Sequence, residues 1–217
     1  LREILNEPVG AMQTQQPVVQ QRDSYNWMDR HLSILKNTEK KHYKRIIFGD
    51  SIMHFWGGAP GAPAQRGTDT WEALPGESLN LGYGHDRVEN LLWRVYHGEL
   101  DGVTADKVFI AIGTNNITAG ASDDEIAEGI AFFAKAVRAR LPEAEITVMA
   151  VLPRRGREDR VEQLNVRLRA MAKENDLKFK DQGKGFLLKD GKVDESLFTD
   201  GLHPNGAGYQ KIAKGFK

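Results

Sequence analysis

The chain has 217 residues with 30 basic and 30 acidic side chains, so no net formal charge draws it to nucleic acid or to an anionic membrane surface. It contains no Cys, which excludes disulfides, thiolate metal sites and cysteine nucleophiles. No run approaches the roughly 18 apolar residues that span a bilayer, and the length suits one domain with a real core. The first residue is Leu1, not Met, so a removed upstream segment is expected; localisation stays open, with an exported bacterial protein the working expectation.

Residues 1–23 are polar and Gln-rich without periodicity and read as an N-terminal arm or linker, ahead of a domain over 24–217. From Ser24, the spacing of Met28, Leu32 and Leu35 predicts a helix, and the basic run 40–45 leads into Ile46-Ile47-Phe48, the first strand. Ser78-Leu79-Asn80-Leu81 is a second strand. Asp86 and Glu89 form a capping-box-like start to a helix carrying Val88, Leu91, Leu92, Val95 and Tyr96. The apolar run 107–112 reads as a strand covered on both faces. Ser122 and Glu125 cap a helix with Ile126, Ile130, Phe133, Val137 and Leu141, which Pro142 ends. Residues 146–152 give a fourth strand, Val161, Leu164, Leu168 and Met171 a helix, 177–180 a fifth strand and 206–214 a terminal helix. Strands alternating with helices imply parallel pairing through right-handed crossovers, hence an α/β domain of three layers, α/β/α, with a five-stranded parallel sheet. The long insertion 57–70, rich in Gly, Pro and Ala, reads as a solvated loop, with a rim or lid as the alternative.

In an open parallel sheet, ligands bind beyond the carboxyl ends of the strands. The residues there are Gly49-Asp50-Ser51, Gly82-Tyr83-Gly84 and Gly113-Thr114-Asn115-Asn116, with Asp200-Gly201-Leu202-His203-Pro204 near the C-terminus. A serine hydroxyl attacks only when a base takes its proton, and a carboxylate orients that base. Ser51, His203 and Asp200 fit these roles, although Asp190, Asp194 or Glu195 could also reach the histidine. The tetrahedral intermediate needs preorganised donors for its oxyanion: the backbone N–H groups of Ser51 and Gly82 and the Asn115 side-chain amide are the candidates. Asp50 and Asn116 read as structural.

These blocks resemble the SGNH hydrolase superfamily, or GDSL esterases, whose signature is a Ser, a Gly, an Asn and a His in that order. Here they fall on Ser51, Gly82, Asn115 and His203, with Asp200 matching the carboxylate three residues before the histidine. From about Arg45 to Tyr209, and most clearly through Leu92-Trp93-Arg94-Val95 and Gly98-Glu99-Leu100, the chain resembles the catalytic subunits of platelet-activating-factor acetylhydrolase and their bacterial relatives. The resemblance implies a flavodoxin-like sheet ordered 2-1-3-4-5, with no metal or organic cofactor. One departure is visible: bulky His85 follows Gly84, where many relatives carry a small residue.

The expected activity is therefore serine ester hydrolysis of short acyl groups, above all acetyl. Ile52, Thr114 and Leu202 flank the nucleophile, the oxyanion donor and the base, and are expected to narrow the acyl pocket. His85 and Trp56 are candidate substrate contacts, and Trp56 is the sugar-platform candidate that leans the substrate toward an acetylated carbohydrate, ahead of a lipid ester. Arg154-Arg155-Gly156-Arg157 reads as a solvated loop rather than an anion clamp. The remaining histidines lack the spacing of a metal site. Partners are expected to be a small-molecule ester, with neither nucleic acid nor a membrane span, and a monomer or homodimer. A dinucleotide loop at Gly82-Tyr83-Gly84 is disfavoured by Arg87, which stands where a third glycine belongs. A non-catalytic binding domain is disfavoured by the presence of both Ser51 and His203. A thioesterase, a lysophospholipase and an acyltransferase remain open.

Overall fold

The structure is a computed structural model and describes residues 6–22, 24–38 and 40–217. Strands β1 (His42–Gly49), β2 (Ser78–Gly82), β3 (Thr104–Ala111), β4 (Glu145–Met149) and β5 (Lys178–Lys180) form one parallel sheet in the order β2-β1-β3-β4-β5. The expected architecture and strand order are both present. The helices are α1 (Trp27–Thr38), α2 (Ser51–His54), α3 (Thr68–Glu72), α4 (Val88–Tyr96), α5 (Thr114–Thr118), α6 (Asp123–Arg140), α7 (Glu158–Glu174) and α8 (Gly206–Ala213).

Alternate strand residues point to opposite faces, which divides the core in two. On one side Ile46, Phe48, Val108, Ile110, Ile146 and Val148 pack under α1, α4, α6 and α7. On the other, Ile47, Phe109 and Met149 pack with residues of α2, α3 and α8. The chain leaves β1 toward β2 on one side and returns to β3 on the other, so the carboxyl ends of β1 and β3 open a crevice. Gly49, the last residue of β1, pairs with both Gly82 and Ala111 there.

Several local expectations change. Most of the basic run, from His42 on, lies within β1, where the exposed His42 and Lys44 side chains meet Asp106 of β3 at 3.1 and 2.7 Å. The insertion is partly helical: α3 begins within it, and Trp71 packs against Trp56 with ring centroids 5.2 Å apart. Asp86 does not cap α4, because its carboxylate is drawn inside. Arg87 is the N-cap, its N–H bonded to Asn90 Oδ1 at 2.8 Å, and Asn116 Oδ1 accepts from Val88 N at 3.1 Å. The described part of the arm lies along α4 and α6. Thr14 is buried and donates to Glu125 O at 2.6 Å, Val18 N donates to Glu89 O at 3.2 Å, and the Tyr96 hydroxyl donates to Pro8 O at 2.6 Å.

A buried ion cluster underlies the connection from β2 to α4. Arg94 on α4 is fully buried. Its Nε meets Asp86 Oδ2 at 3.0 Å, its Nη2 donates to Leu81 O at 3.0 Å, and its Nη1 pairs with Glu99. The guanidinium also lies 3.7 Å over the Tyr83 ring, whose hydroxyl donates to Glu99 at 2.7 Å. Trp27 Nε1 donates to Asp86 Oδ1 at 2.7 Å. Removing one member of such a cluster strands buried charge. Arg94→Met is therefore expected to lower the unfolding free energy by about 3–5 kcal/mol in urea denaturation, far more than an apolar replacement of an exposed arginine.

Candidate active site

Ser51 opens α2 directly beyond β1. Asp50 caps that helix, its Oδ1 accepting from Ile52 N at 2.9 Å, so the hydroxyl-bearing residue occupies the first turn, where helix N–H groups point outward. Ser51 Oγ is 2.8 Å from His203 Nε2, and His203 Nδ1 is 2.6 Å from Asp200 Oδ2. Asp200 Oδ1 also accepts from His203 N at 2.7 Å and Leu202 N at 3.0 Å. Burial pushes the Asp200 carboxyl up, but these bonds from His203 and Leu202 outweigh it and hold it below its ordinary range. It therefore stays ionised at neutral pH and favours the Nδ1–H tautomer of His203. Of the four carboxylates left open, Asp200 is the one at the histidine. Asp194 caps a 3₁₀ turn through Ser196 N, and Glu195 pairs with Arg155.

The backbone donors of the loop after β2 are almost all committed. Gly82 N donates to Asn80 Oδ1 at 2.8 Å, Tyr83 N to Gly49 O at 3.0 Å, Gly84 N to His54 Nδ1 at 3.0 Å and Asp86 N to Tyr83 O at 3.1 Å. The N–H of His85 alone has no partner among the described residues. Gly82 thus departs from its expected role: its donor is spent inside the protein. What requires glycine there is packing, since a Cβ would lie 2.3 Å from His54 N and 2.6 Å from Met53 C. His85 takes φ 64°, a left-handed conformation that costs a non-glycine residue roughly 1–2 kcal/mol. Asn115, at the start of α5, donates through Nδ2 to Asp86 O at 2.9 Å, leaving its second N–H available.

The flanking residues separate. Ile52 and Thr114, both buried, line a cavity of about 30 Å³ with Asp50, Val151 and Leu152. Leu202 does not line it and packs, half-buried, on the α2 and α8 side of the core. Trp56 is a correction. It is 0% exposed, between Trp71, Tyr209 and Phe216, with Nε1 donating to Thr70 Oγ1 at 2.8 Å, so it offers no face to a substrate. His85 is exposed, on a cleft of about 360 Å³ that Asn115 also lines. The basic loop after β4 acts as a set of struts: Arg154 Nη1 donates to Thr114 Oγ1 at 3.1 Å and Thr118 Oγ1 at 2.9 Å, and Arg155 Nη2 to Glu195 Oε2 at 2.7 Å. Among the described residues no group of three or more His, Asp or Glu side chains is arranged to hold a metal ion, and no helix is long and apolar enough to cross a membrane.

A serine, an imidazole and a carboxylate in hydrogen-bond series, beside unspent N–H groups at a sheet edge, are what acyl transfer uses, and the same stretch matches a known family. The GDSL-like lipase/acylhydrolase family model covers residues 47–211. The chain belongs to this family. It is an ester-hydrolase family, acting on small ester substrates. The chain is 28% identical to human platelet-activating factor acetylhydrolase IB subunit alpha2 over 195 residues, covering 87% of this chain and 80% of that one. In fold it is similar to the acetylxylan esterase Axe2 from Geobacillus stearothermophilus, with TM-score 0.64, 18% identity and coverage of 82% and 93% of the two chains. It is likewise similar to Est24, a carbohydrate acetylesterase from Sinorhizobium meliloti, with TM-score 0.62, 17% identity and coverage of 82% and 96%.

The burial of two titratable groups in this GDSL acylhydrolase had no signal in the sequence. His54 is buried; burial, with Arg30 and Arg94 nearby, pushes its ring down to about 3, so it stays neutral and its Nδ1 accepts from the Gly84 N–H that follows β2. Asp50 is buried beneath Ser51. Burial pushes its carboxyl up to about 6, against the pull of the Ile52 N–H, His203 and Arg154. Because the folded value lies above the unfolded one, the stability contributed by protonated Asp50 is present below about pH 4 and lost as pH rises through about 6. Asp50→Asn keeps the cap but not the titration. Its unfolding free energy, relative to the unsubstituted protein, is expected to improve by about 2–3 kcal/mol between about pH 4 and 7, and parallel pH profiles would contradict this.

Proposed function

We propose that this protein is a serine esterase that removes short acyl groups, acetyl above all, through an acyl-enzyme on Ser51, with an acetylated carbohydrate as its substrate. The observation that carries the reading is the continuous series from Ser51 Oγ to His203 Nε2 at 2.8 Å and from His203 Nδ1 to Asp200 Oδ2 at 2.6 Å. His203 takes the hydroxyl proton as Ser51 Oγ attacks the ester carbonyl, and Asp200 stabilises the imidazolium. The carbonyl oxygen, now an oxyanion, is received by the N–H groups of Ser51 and His85 and the free N–H of Asn115 Nδ2. As the intermediate collapses, His203 returns the proton to the departing alcohol. A water molecule then repeats the sequence on the acyl-enzyme, releasing the acid and restoring Ser51.

The short acyl preference rests on the cavity that Ile52 and Thr114 share. Its volume of about 30 Å³ suits a methyl group and not an alkyl chain. The carbohydrate reading is supported by the polar cleft beside Asn115 and by the carbohydrate esterases that share the fold. A lipid ester is the second reading, favoured by the acetylhydrolase relatives.

Ser51→Ala and His203→Ala are each expected to remove nearly all hydrolysis of 4-nitrophenyl acetate, and Asn115→Ala to lower turnover about 100- to 1000-fold. Near-normal activity of Ser51→Ala would end the proposal. Across 4-nitrophenyl acetate, butyrate and octanoate, turnover is expected to fall with chain length; faster cleavage of octanoate would refute the acetyl preference.

A further inference from the structure

Beside Asn115 and His85 lies the cleft of about 360 Å³, and much of its wall comes from the N-terminal segment: Gln20, Gln21 and Arg22 face His85, Arg87 and Asn115 across it, and α5 closes it. The segment is anchored there. Gln20 is 9% exposed, and its Nε2 donates to Gly84 O at 2.6 Å and approaches Asp86 Oδ1 at 3.4 Å. Its Oε1 accepts from Arg22 N at 2.8 Å, and the Tyr25 hydroxyl donates to Gly84 O at 3.0 Å. One end of the cleft is thus tied to the loop that carries the free His85 N–H.

The lining is cationic and polar. Among the described residues no carboxylate lines the cleft. Arg87 engages Glu89 through Nε at 3.3 Å, which leaves its terminal nitrogens to the cleft, and Glu89 is itself tied to Asn116 at 3.0 Å. Burial lowers the basicity of the His85 ring, and the charges of Arg22 and His203 add to that, so Arg22 and the proposed base both act on His85. His85 and Asn115, whose N–H groups are the proposed oxyanion donors, both line the cleft, which places it beside the reaction centre. An alkyl chain there would strip water from two guanidinium groups without replacing their hydrogen bonds, whereas carboxylate or phosphate oxygens would replace them.

We propose that this cleft binds the alcohol half of the ester, and that this alcohol carries an anionic oxygen, a carboxylate or a phosphate, held by Arg22 and Arg87 beside hydroxyl groups held by Gln21 and His85. The proposal rests on the assignment of Ser51 as the nucleophile, and it identifies the class of leaving group.

The test uses two matched pairs of acetyl esters: O-acetylated methyl glucuronoside against methyl glucoside, and 1-O-acetylglycerol 3-phosphate against 1-O-acetylglycerol. The anionic member of at least one pair is expected to show a kcat/KM about tenfold or more above its neutral partner. The preferred pair tells a carboxylate source from a phosphate source. In Arg22→Gln/Arg87→Gln that ratio is expected to fall to within about twofold of one, through KM more than kcat, and about 0.5 M salt should compress it likewise. Ratios near one in the unsubstituted protein, or a ratio that survives the double substitution, overturn the subsite. Calorimetric binding of methyl glucuronoside and glycerol 3-phosphate gives a readout independent of catalysis: binding by the unsubstituted protein that is lost in the double variant supports the cleft even if no ester is cleaved, and no binding of either overturns it. Failure to hydrolyse any ester, 4-nitrophenyl acetate included, tells against Ser51 instead.

Discussion

The guanidinium of Arg94 ties the end of β2, through Leu81 O, to Asp86 and Glu99 on either side of the helix that carries it. A charge so buried is tolerable only when every donor finds an acceptor and both carboxylates are met in turn. That requirement sets the path of the chain between Tyr83 and Arg87. Asp86 must turn inward to reach Arg94 and Trp27, which leaves its carbonyl for Asn115 and puts His85 at the outer bend in a left-handed conformation. The unpaired His85 N–H is a consequence of that bend. The N–H groups proposed to receive the oxyanion are thus positioned by an ion cluster in the core, away from the solvent that would otherwise relax them.

The sheet was legible because its strands are short apolar runs followed by residues that end strands, and because helices alternate with them. Ser51 and Asn115 were singled out for the same reason, since each follows a strand whose end could be placed, whereas Asp200 and His203 were read from their three-residue spacing together with the other blocks. What could not be placed was which donor faces outward in Gly82-Tyr83-Gly84-His85. That depends on Asn80, two residues back in β2, and on His54 of α2, whose side chains consume the N–H groups of Gly82 and Gly84. Trp56 was misplaced on similar grounds. Nearness in sequence to Ser51 suggested access, but it lies past the single turn of α2, where the chain dives into the aromatic cluster of Trp71, Tyr209 and Phe216. Asp86 resembled a helix cap because a carboxylate before a helix usually is one; a buried arginine two turns later outcompetes the helix for it.

The insertion after α2 reaches the site indirectly. Arg66 lies 5.2 Å over the Phe55 ring, and Phe55 packs at 5.4 Å on the ring of His203. The imidazole is therefore flanked by a tilted aromatic ring and bonded at its edges to Ser51 and Asp200, with Nε2 directed at the hydroxyl. Polar composition alone had suggested a linker for the N-terminal segment as well. Gln20 and Tyr25 instead both donate to the Gly84 carbonyl in the loop after β2, which helps a stretch with little apolar content stay on the surface of the domain.

The region matched by the family model begins at Ile47, inside β1, whereas Trp27 and Arg30 on α1 and Gln20 before it all bond to the stretch from Asn80 to Asp86. The inherited module and the cooperative folding unit therefore have different edges. A chimaera assembled at the module's edge would import Ser51 and His203 while leaving behind the scaffold that shapes the bend beside them, so recombination between relatives is expected to be tolerated only where both pieces travel together.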